Sequence, residues 1–254
     1  MKTIYKLILI VVYISVANAC DGGDSVGSGD SVGQGGSMAR FTILDDYLYT
    51  VDNSTLKIFE LLNPAEPYYL DLRDVQLGFG IETIFSKDSL LFIGSQDGMY
   101  IYSVTTPDRP AQLSCVQHIR SCDPVVASGD YAYVTLNSQN EWCGRRSNVL
   151  KIYDISDLRN PVEKHTETLS SPRGLGIDGD KLFVCDATNI KMYNIGRPDT
   201  VVWTGDLQHT NIRVTQYDVI PVNGLLLAST DKGLYQFDYT GGQLEFVSEI
   251  TVKK

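Results

Sequence analysis

A repeat of short apolar runs constrains the fold of this 254-residue chain more than any other sequence feature. The runs are centred on five large apolar residues, spaced 43, 41, 50 and 44 positions apart: Tyr49, Phe92, Tyr133, Phe183 and Leu227. A second run follows each first run, with its own central aromatic residue: Phe59, Tyr102, Tyr153, Tyr193 and Phe237. Because the two centres are 10 residues apart in four repeats and 20 apart in the third, the third repeat carries an insertion of ten residues.

Turn signals divide each repeat into four short strands, a to d. Pairs such as Gly129-Asp130 favour a tight hairpin between strands a and b, and tips such as Asp97-Gly98 follow strand b. In four repeats a loop with proline, such as Asn160-Pro161, follows strand c, which ends there because proline has no N–H to donate. Four antiparallel strands in about 40 to 45 residues are typical of a β-propeller blade. We therefore predict an all-β chain with a single β-propeller of five four-stranded blades over residues 38–254.

The order of the strands bears on how the propeller closes. The first repeat begins on a strand a and the last repeat ends on a strand d, so no blade combines strands from the two ends of the chain. We expect blade 5 to pack on blade 1 through side chains alone, which makes a weak seam. A homodimer would be one way to relieve it.

The repeats resemble the LVIVD family of bacterial β-propeller repeats. The matching stretches are Leu182-Phe-Val-Cys, Lys151-Ile-Tyr-Asp-Ile-Ser-Asp with Asn160-Pro161-Val162, and Tyr100-Ile-Tyr-Ser-Val with Pro107 and Pro110. The resemblance covers about residues 40 to 250 and departs most in the last repeat, at Tyr239-Thr-Gly-Gly. It implies a propeller in a bacterial protein and no defined activity.

The first nineteen residues are typical of a signal peptide. Lys2 and Lys6 precede an apolar run that is too short to span a bilayer comfortably, and small residues precede Cys20. This site suits an ordinary signal peptidase, but it also resembles the bacterial lipobox, in which the cysteine is acylated. Ala17 departs from the lipobox, which more often has leucine there. We predict a signal peptide over residues 1–19 and lipidation of Cys20.

Residues 20–37 are predicted to form a flexible linker held by the lipid. The motif Asp-Ser-Val-Gly occurs twice, from Asp24 and from Asp30, among glycines and serines that cannot bury enough apolar area to fold. The acidic start of this segment resembles the surface-export signals of Bacteroidota lipoproteins. We expect an exported protein anchored to the outer membrane, on its periplasmic side or at the cell surface, that contacts the membrane only through the anchor.

The charge of the chain argues against two classes of partner. Its formal net charge is -10 at pH 7, and it has no run of lysine or arginine. Such a chain offers no phosphate-neutralising surface to nucleic acid, and anionic lipid headgroups would repel it. We expect neither nucleic acid nor a bare membrane surface as a partner.

Four cysteines besides Cys20 could form disulfides in an exported protein. Cys122 and Cys143 fall in loops that emerge on the same face of a propeller, so we favour a disulfide between them. Cys115 and Cys185 fall inside apolar strands, where small buried residues with free thiols are the simpler interpretation.

The insertion in the third repeat, residues 138–147, is the first candidate for a binding site. It combines Trp142 with Arg145 and Arg146 in an acidic domain, and this composition is enriched at interaction hot spots. The alternative is a surface extension pinned by its own disulfide.

A second candidate is a positive mouth on the same face, made by one arginine from each connection between blades: Arg73, Arg120, Arg173 and Arg213. The alternative is scattered pairing of these arginines with Asp74, Asp123 or Asp218.

Other polar residues point to no cofactor, metal site or catalytic group. His118, His165 and His209 fall on outer strands of different blades, too far apart to share a metal. Four aspartates occupy positions that tight turns select: Asp52, Asp97, Asp186 and Asp231. Glu82 and Asp218 are the only acids well placed on inner strands, which gives poor support for the paired carboxylates of a glycosidase.

Three functions fit these observations. The first is a non-catalytic binding or scaffolding module that presents loops to a protein or glycan of the cell envelope. The second is a carbohydrate-active enzyme, which would need convergent carboxylates at the propeller axis. The third is a structural spacer without a ligand. We expect the first.

Overall fold

The computed structural model describes residues 36–118, 124–138, 147–197, 202–207 and 213–251, the fourth of these ranges through its backbone alone. In these ranges the chain forms twenty-one strands and one short 3₁₀ turn. The described part of the chain contains no helix long and apolar enough to cross a membrane. The prediction of an all-β chain is confirmed.

The strands form five antiparallel sheets in chain order, and each sheet is one blade. Blade 1 contains β1 (Phe41–Leu44), β2 (Tyr47–Val51), β3 (Thr55–Glu60), β4 (Tyr68–Tyr69) and β5 (Val75–Gln76). Blade 2 contains β6 (Ile81–Lys87), β7 (Leu90–Ser95), β8 (Gly98–Ser103) and β9 (Ala111–Gln117). Blade 3 contains β10 (Val125–Ser128), β11 (Tyr131–Leu136), β12 (Val149–Asp154) and β13 (Val162–Thr168).

Blade 4 contains β14 (Pro172–Asp178), β15 (Lys181–Asp186), β16 (Asn189–Asn194) and β17 (Val202–Leu207). Blade 5 contains β18 (Gln216–Val222), β19 (Leu225–Thr230), β20 (Gly233–Asp238) and β21 (Glu245–Thr251). The outermost position of blade 1 is split, since β4 and β5 both pair with β3 and the 3₁₀ turn Asp71–Arg73 separates them. The predicted five-bladed propeller is confirmed.

The first hairpin of every blade has the turn that the sequence predicts. The residue that opens each turn has a left-handed φ between 51° and 57°: Asp45, Asp88, Gly129, Gly179 and Asn223. Glycine, asparagine and aspartate tolerate this conformation better than other residues do, so these residue types mark the same turn in all five blades.

The core lies between consecutive blades. Four buried clusters join blade 1 to 2, 2 to 3, 3 to 4 and 4 to 5. Each of the four clusters contains the central large residue of one first apolar run, and each of these residues is at most 1% exposed: Tyr49, Phe92, Tyr133 and Phe183. The fifth, Leu227, is 40% exposed. Among the described residues no such cluster joins blade 5 to blade 1.

Residues 36–39 make the contacts at the seam, where we expected packing of blade 5 on blade 1. The Ser37 hydroxyl donates to Oδ1 of Asp218 at 2.9 Å and accepts the Leu175 N–H at 2.7 Å, which links blades 5 and 4. The Ala39 carbonyl accepts the Ile84 N–H of blade 2 at 2.9 Å. The expected packing of blade 5 on blade 1 forms no buried cluster among the described residues, and this short segment contacts the inner strands there instead.

The same observation moves one domain boundary. Ser37 was predicted to belong to the flexible linker, but its side chain is 1% exposed and hydrogen-bonded to two blades. The propeller therefore includes Gly36 and Ser37. These residues lie beside the first blade, where the Ser37 hydroxyl bonds to blades 4 and 5 and the Gly36 carbonyl accepts the Ala39 N–H.

Candidate functional site

The residues at the two ends of the insertion in blade 3 hydrogen-bond to each other next to strands β11 and β12. The last paired residues of β11 and β12 are Leu136 and Val149. Beyond them, the Ser138 hydroxyl accepts the Ser147 N–H at 2.6 Å, and the Asn148 side chain accepts the Ser138 N–H at 3.2 Å. The extra residues therefore leave the β-ladder of the blade intact.

A groove of about 560 Å³ lies at this base, between the outer strands of blades 2 and 3. Leu136, at the end of β11, and Ser147, the last residue of the insertion, belong to its lining. The other walls come from β9, β12 and β13, through residues that include Val116, Gln117, Tyr153, Pro161 and Thr166. Ser147, the described last residue of the predicted binding loop, thus lies at a concave surface.

One ion pair fixes the charge inside the groove. The Lys151 ammonium lies on Oε2 of Glu163, and the Thr166 hydroxyl donates to Oε1 of Glu163 at 2.6 Å. Both contacts lower the pKa of the Glu163 carboxyl, the ammonium more than the hydroxyl. This pair was not predicted from the sequence, although the two residues lie on adjacent strands of one blade, where opposite charges commonly pair.

Several residues singled out from the sequence lie outside the described residues. They are Cys20, Arg120, Cys122, Trp142, Cys143, Arg145, Arg146 and His209. Lipidation of Cys20, the disulfide between Cys122 and Cys143, and the role of the insertion side chains remain predictions.

The other three arginines of the predicted mouth have different surroundings. The Arg73 side chain lies 3.5 Å from Oδ2 of Asp108, rather than on Asp74, because the 3₁₀ turn in the split outer strand carries it toward blade 2. The Arg173 guanidinium stacks 4.9 Å from the centre of the Tyr217 ring. Arg213 is exposed, and its carbonyl accepts the Lys232 ammonium at 3.5 Å. Among the described residues, these three arginines share no partner.

The two described cysteines lie in strands, and one of the turn aspartates, Asp186, accepts backbone hydrogen bonds. Cys115 and Cys185 are both free thiols, as predicted; Cys185 is buried and Cys115 only half-buried, and burial raises the pKa of both. Asp186 is 3% exposed and accepts the Ser171 N–H at 2.6 Å. It therefore holds the connection into its own blade, a role beyond the turn that its position predicts.

The inner strands surround a small cavity of about 120 Å³ at the axis. Ser37 and strands of blades 2 to 5 line it, mainly with apolar residues such as Val126, Leu175 and Val219. Glu82, one of the two inner-strand acids, accepts the Gln96 side-chain amide at 3.1 Å and is not part of the lining. The described residues bring no pair of carboxylates together in this cavity.

Asp218, the other acid, holds residues 36–38 on blade 5. Its carboxylate accepts the Ser37 hydroxyl and the N–H groups of Met38 and Val219, at 2.9, 3.2 and 3.0 Å. Burial raises the pKa of Asp218 from 3.8 to about 6, although these hydrogen bonds act in the opposite direction. Desolvation is the larger effect, since none of the hydrogen-bond partners that the structure describes for this carboxylate is a cation.

This shifted pKa predicts a pH dependence of stability. A carboxyl whose pKa is higher in the folded state binds its proton more tightly there, so its contribution is greatest below the unfolded pKa and falls as pH rises through about 6. The loss is on the order of 2 kcal/mol at this half-buried site. Urea unfolding between about pH 4 and 7 should show the decline in the natural chain and not in Asp218→Asn.

Asp154→Asn is the control for this measurement. The hydroxyl and N–H of Ser156 and the Lys164 ammonium lower the pKa of Asp154 to about 2, so its contribution is lost as pH falls rather than as it rises. The same decline in the natural chain and in Asp218→Asn would show that Asp218 titrates normally.

Comparison with known proteins finds likeness in structure only. No protein-family model matches the chain, and no curated protein matches it. A protein from Lactobacillus plantarum superposes with a TM-score of 0.63 at 14% identity, over 81% of this chain and 68% of that chain. BamB from Moraxella catarrhalis gives 0.57 at 12% identity, over 78% and 56%. Apo AztD from Citrobacter koseri gives 0.61 at 11% identity, over 82% and 61%. At these identities the likeness shows the β-propeller fold alone.

Proposed function

We propose that this chain is an exported lipoprotein, anchored through Cys20, whose LVIVD-type propeller is a non-catalytic binding module for a protein of the cell envelope. The partner docks in the groove between blades 2 and 3 and contacts the insertion beside it. The observation that carries the proposal is the coincidence of two independent features. The insertion is the largest departure from the repeat, and the 560 Å³ groove lies at its base.

The lining of the groove favours a protein over a glycan. Glycan sites commonly offer an exposed aromatic ring to a sugar face, whereas Tyr153 in this lining is 4% exposed. Val116 and Pro161 provide apolar surface, and the ion pair of Lys151 with Glu163 provides fixed charge. Protein interfaces combine an apolar centre with a few fixed polar groups in this way.

The lining of the axial cavity favours the hypothesis of a binding module over that of a glycosidase. Asp218 uses its carboxylate oxygens to hold residues 36–38, and the described lining of the cavity contains no carboxylate. Glycosidases of both stereochemical classes need two carboxyl groups on either side of the bond they cleave. A spacer without a ligand would have no reason to keep a groove at the base of its longest loop.

Site-directed crosslinking tests the proposal. A photoreactive residue at Gln117, in the groove, should capture one discrete envelope protein, whereas the same residue at Glu245 on blade 5 should not. Trp142→Ala should weaken binding of the captured protein by about 30-fold, which corresponds to a hot-spot loss of about 2 kcal/mol. Lys181→Ala, an exposed lysine on blade 4, is the control and should leave binding unchanged.

Other outcomes contradict the proposal. Equal capture from Gln117 and Glu245 would mean that the groove is not the site. Binding of a purified envelope glycan, with no protein captured from the groove, would replace the protein partner by a glycan. Absence of both would leave the spacer as the better account.

A further inference from the structure

In the part of the chain that the structure describes, two sheet faces at the ends of the propeller belong to no buried cluster with another blade. We call the face of a blade that packs on the next blade its trailing face, and the opposite one its leading face. On the trailing face of blade 5, Leu227 is 40%, Leu234 49% and Ile250 71% exposed. Leu234 and Ile250 are directly paired across strands β20 and β21, so they lie on one face.

The leading face of blade 1 is exposed in the same way. Phe41 is 56% exposed and Tyr69 36% exposed, and the Tyr69 ring stacks on Phe59 at 4.8 Å. The residues that correspond to Leu48 on the leading faces of the other blades are fully buried: Leu91, Ala132, Leu182 and Leu226. Leu48 itself is only half-buried.

The interfaces between consecutive blades indicate which kind of surface packs on each of these two faces. In each of the four clusters a trailing face packs on the leading face of the next blade. The free trailing face of blade 5 and the free leading face of blade 1 are the two halves of one more contact of this type. Within one chain, the contacts seen at the seam run through residues 36–39 instead.

The composition of the linker argues against it as the cover of these faces. Between residues 21 and 35 only Val26 and Val32 are large apolar residues, and the rest are glycine, serine, aspartate and one glutamine. Such a segment cannot replace the leucines and aromatic residues that a neighbouring blade contributes. A second copy of the chain supplies a matching face of the right type.

We propose that the trailing face of blade 5 docks on the leading face of blade 1 of a second copy. The contact continues the series of blade interfaces from one chain into the next. A two-fold pair satisfies both free faces if each copy contributes both halves. This inference is independent of the proposed function, since the groove between blades 2 and 3 is not involved.

Sedimentation velocity over a wide range of concentration tests this contact, with the purified chain carrying Cys20→Ser to prevent lipidation. The chain should associate as its concentration rises. Leu227→Lys and Phe41→Lys should each raise the dissociation constant by at least about tenfold, because each would bury an unpaired charge. Val162→Lys, at a 54% exposed strand position of blade 3, is the matched control and should change nothing.

Mixing the two variants separates this contact from other modes of association. Leu227→Lys keeps an intact leading face and Phe41→Lys keeps an intact trailing face, so the mixture should associate where each variant alone does not. If two trailing faces met each other, Phe41→Lys alone would associate and mixing would rescue nothing. That result, or a chain that stays monomeric at every concentration, overturns the proposal.

Unfolding temperatures close to that of the natural chain show that the variants fold. If Leu227→Lys does not fold, Leu234→Lys takes its place.

Discussion

Replacing Phe183 with alanine is expected to lower the free energy of unfolding by about 4 kcal/mol. The ring is fully buried between blades 4 and 5, and its centre lies 4.7 Å from that of the Tyr239 ring. Leu226 and Phe237 of blade 5 belong to the same buried cluster. Alanine would leave a cavity between two sheets that hydrogen-bonded ladders keep from collapsing, so both the transfer and the cavity contributions are lost. Urea-induced unfolding measures the difference.

Leu227→Ala is the matched control for Phe183→Ala. Leu227 holds the same position in blade 5, but 40% of it is exposed. At concentrations low enough for the chain to be monomeric, Leu227→Ala should lower the free energy of unfolding by less than about 1 kcal/mol. Equal losses in the two variants would show that a blade of the same chain covers Leu227, which would contradict the exposed trailing face of blade 5.

Gly174→Ala is expected to destabilise the chain by about 3 kcal/mol. A β-carbon at Gly174 would lie 2.6 Å from the Cα of Asp218, and one at Gly176 would lie 2.8 Å from the carbonyl oxygen of Val219. The two glycines thus let strand β18 approach β14 closely. Because backbone atoms are in the way, the added methyl group must push blades 4 and 5 apart rather than displace a flexible side chain. The midpoint of thermal unfolding should fall by roughly 6 to 12 °C in a domain of this size.

Gly241→Ala provides the comparison. The nearest atom to a β-carbon there is Oε1 of Glu245 at 3.8 Å, so the methyl group has room. We expect a change of no more than about 1 kcal/mol, and a small gain is as consistent with this as a small loss, since alanine restricts the unfolded chain. If Gly174→Ala behaves like Gly241→Ala, the close approach of the two blades does not limit substitution.

Part of the candidate site could be predicted from the sequence, and part could not. The insertion was evident because it breaks a regular spacing. The groove was not, because it depends on how the outer strands of blades 2 and 3 meet, and residues such as Val116 and Pro161 carry no sign of it. Nor did the sequence show that Arg73 turns toward Asp108, since the split of the outer strand of blade 1 follows no repeat.

The blades of this protein follow from its amino-acid sequence. Alternating apolar runs define the strands, and Asp45, Gly129 or Asn223 define the hairpins, because strand period and left-handed turns depend on residues close together in the chain. The contacts where the first and last blades meet depend on the tertiary fold. Leu227 has the same local sequence environment as Phe183, yet one is exposed and the other buried, because burial depends on whether another blade lies opposite. Ser37 and Asp218 are 181 residues apart, and their contact and the raised pKa of Asp218 arise only when the inner strands converge.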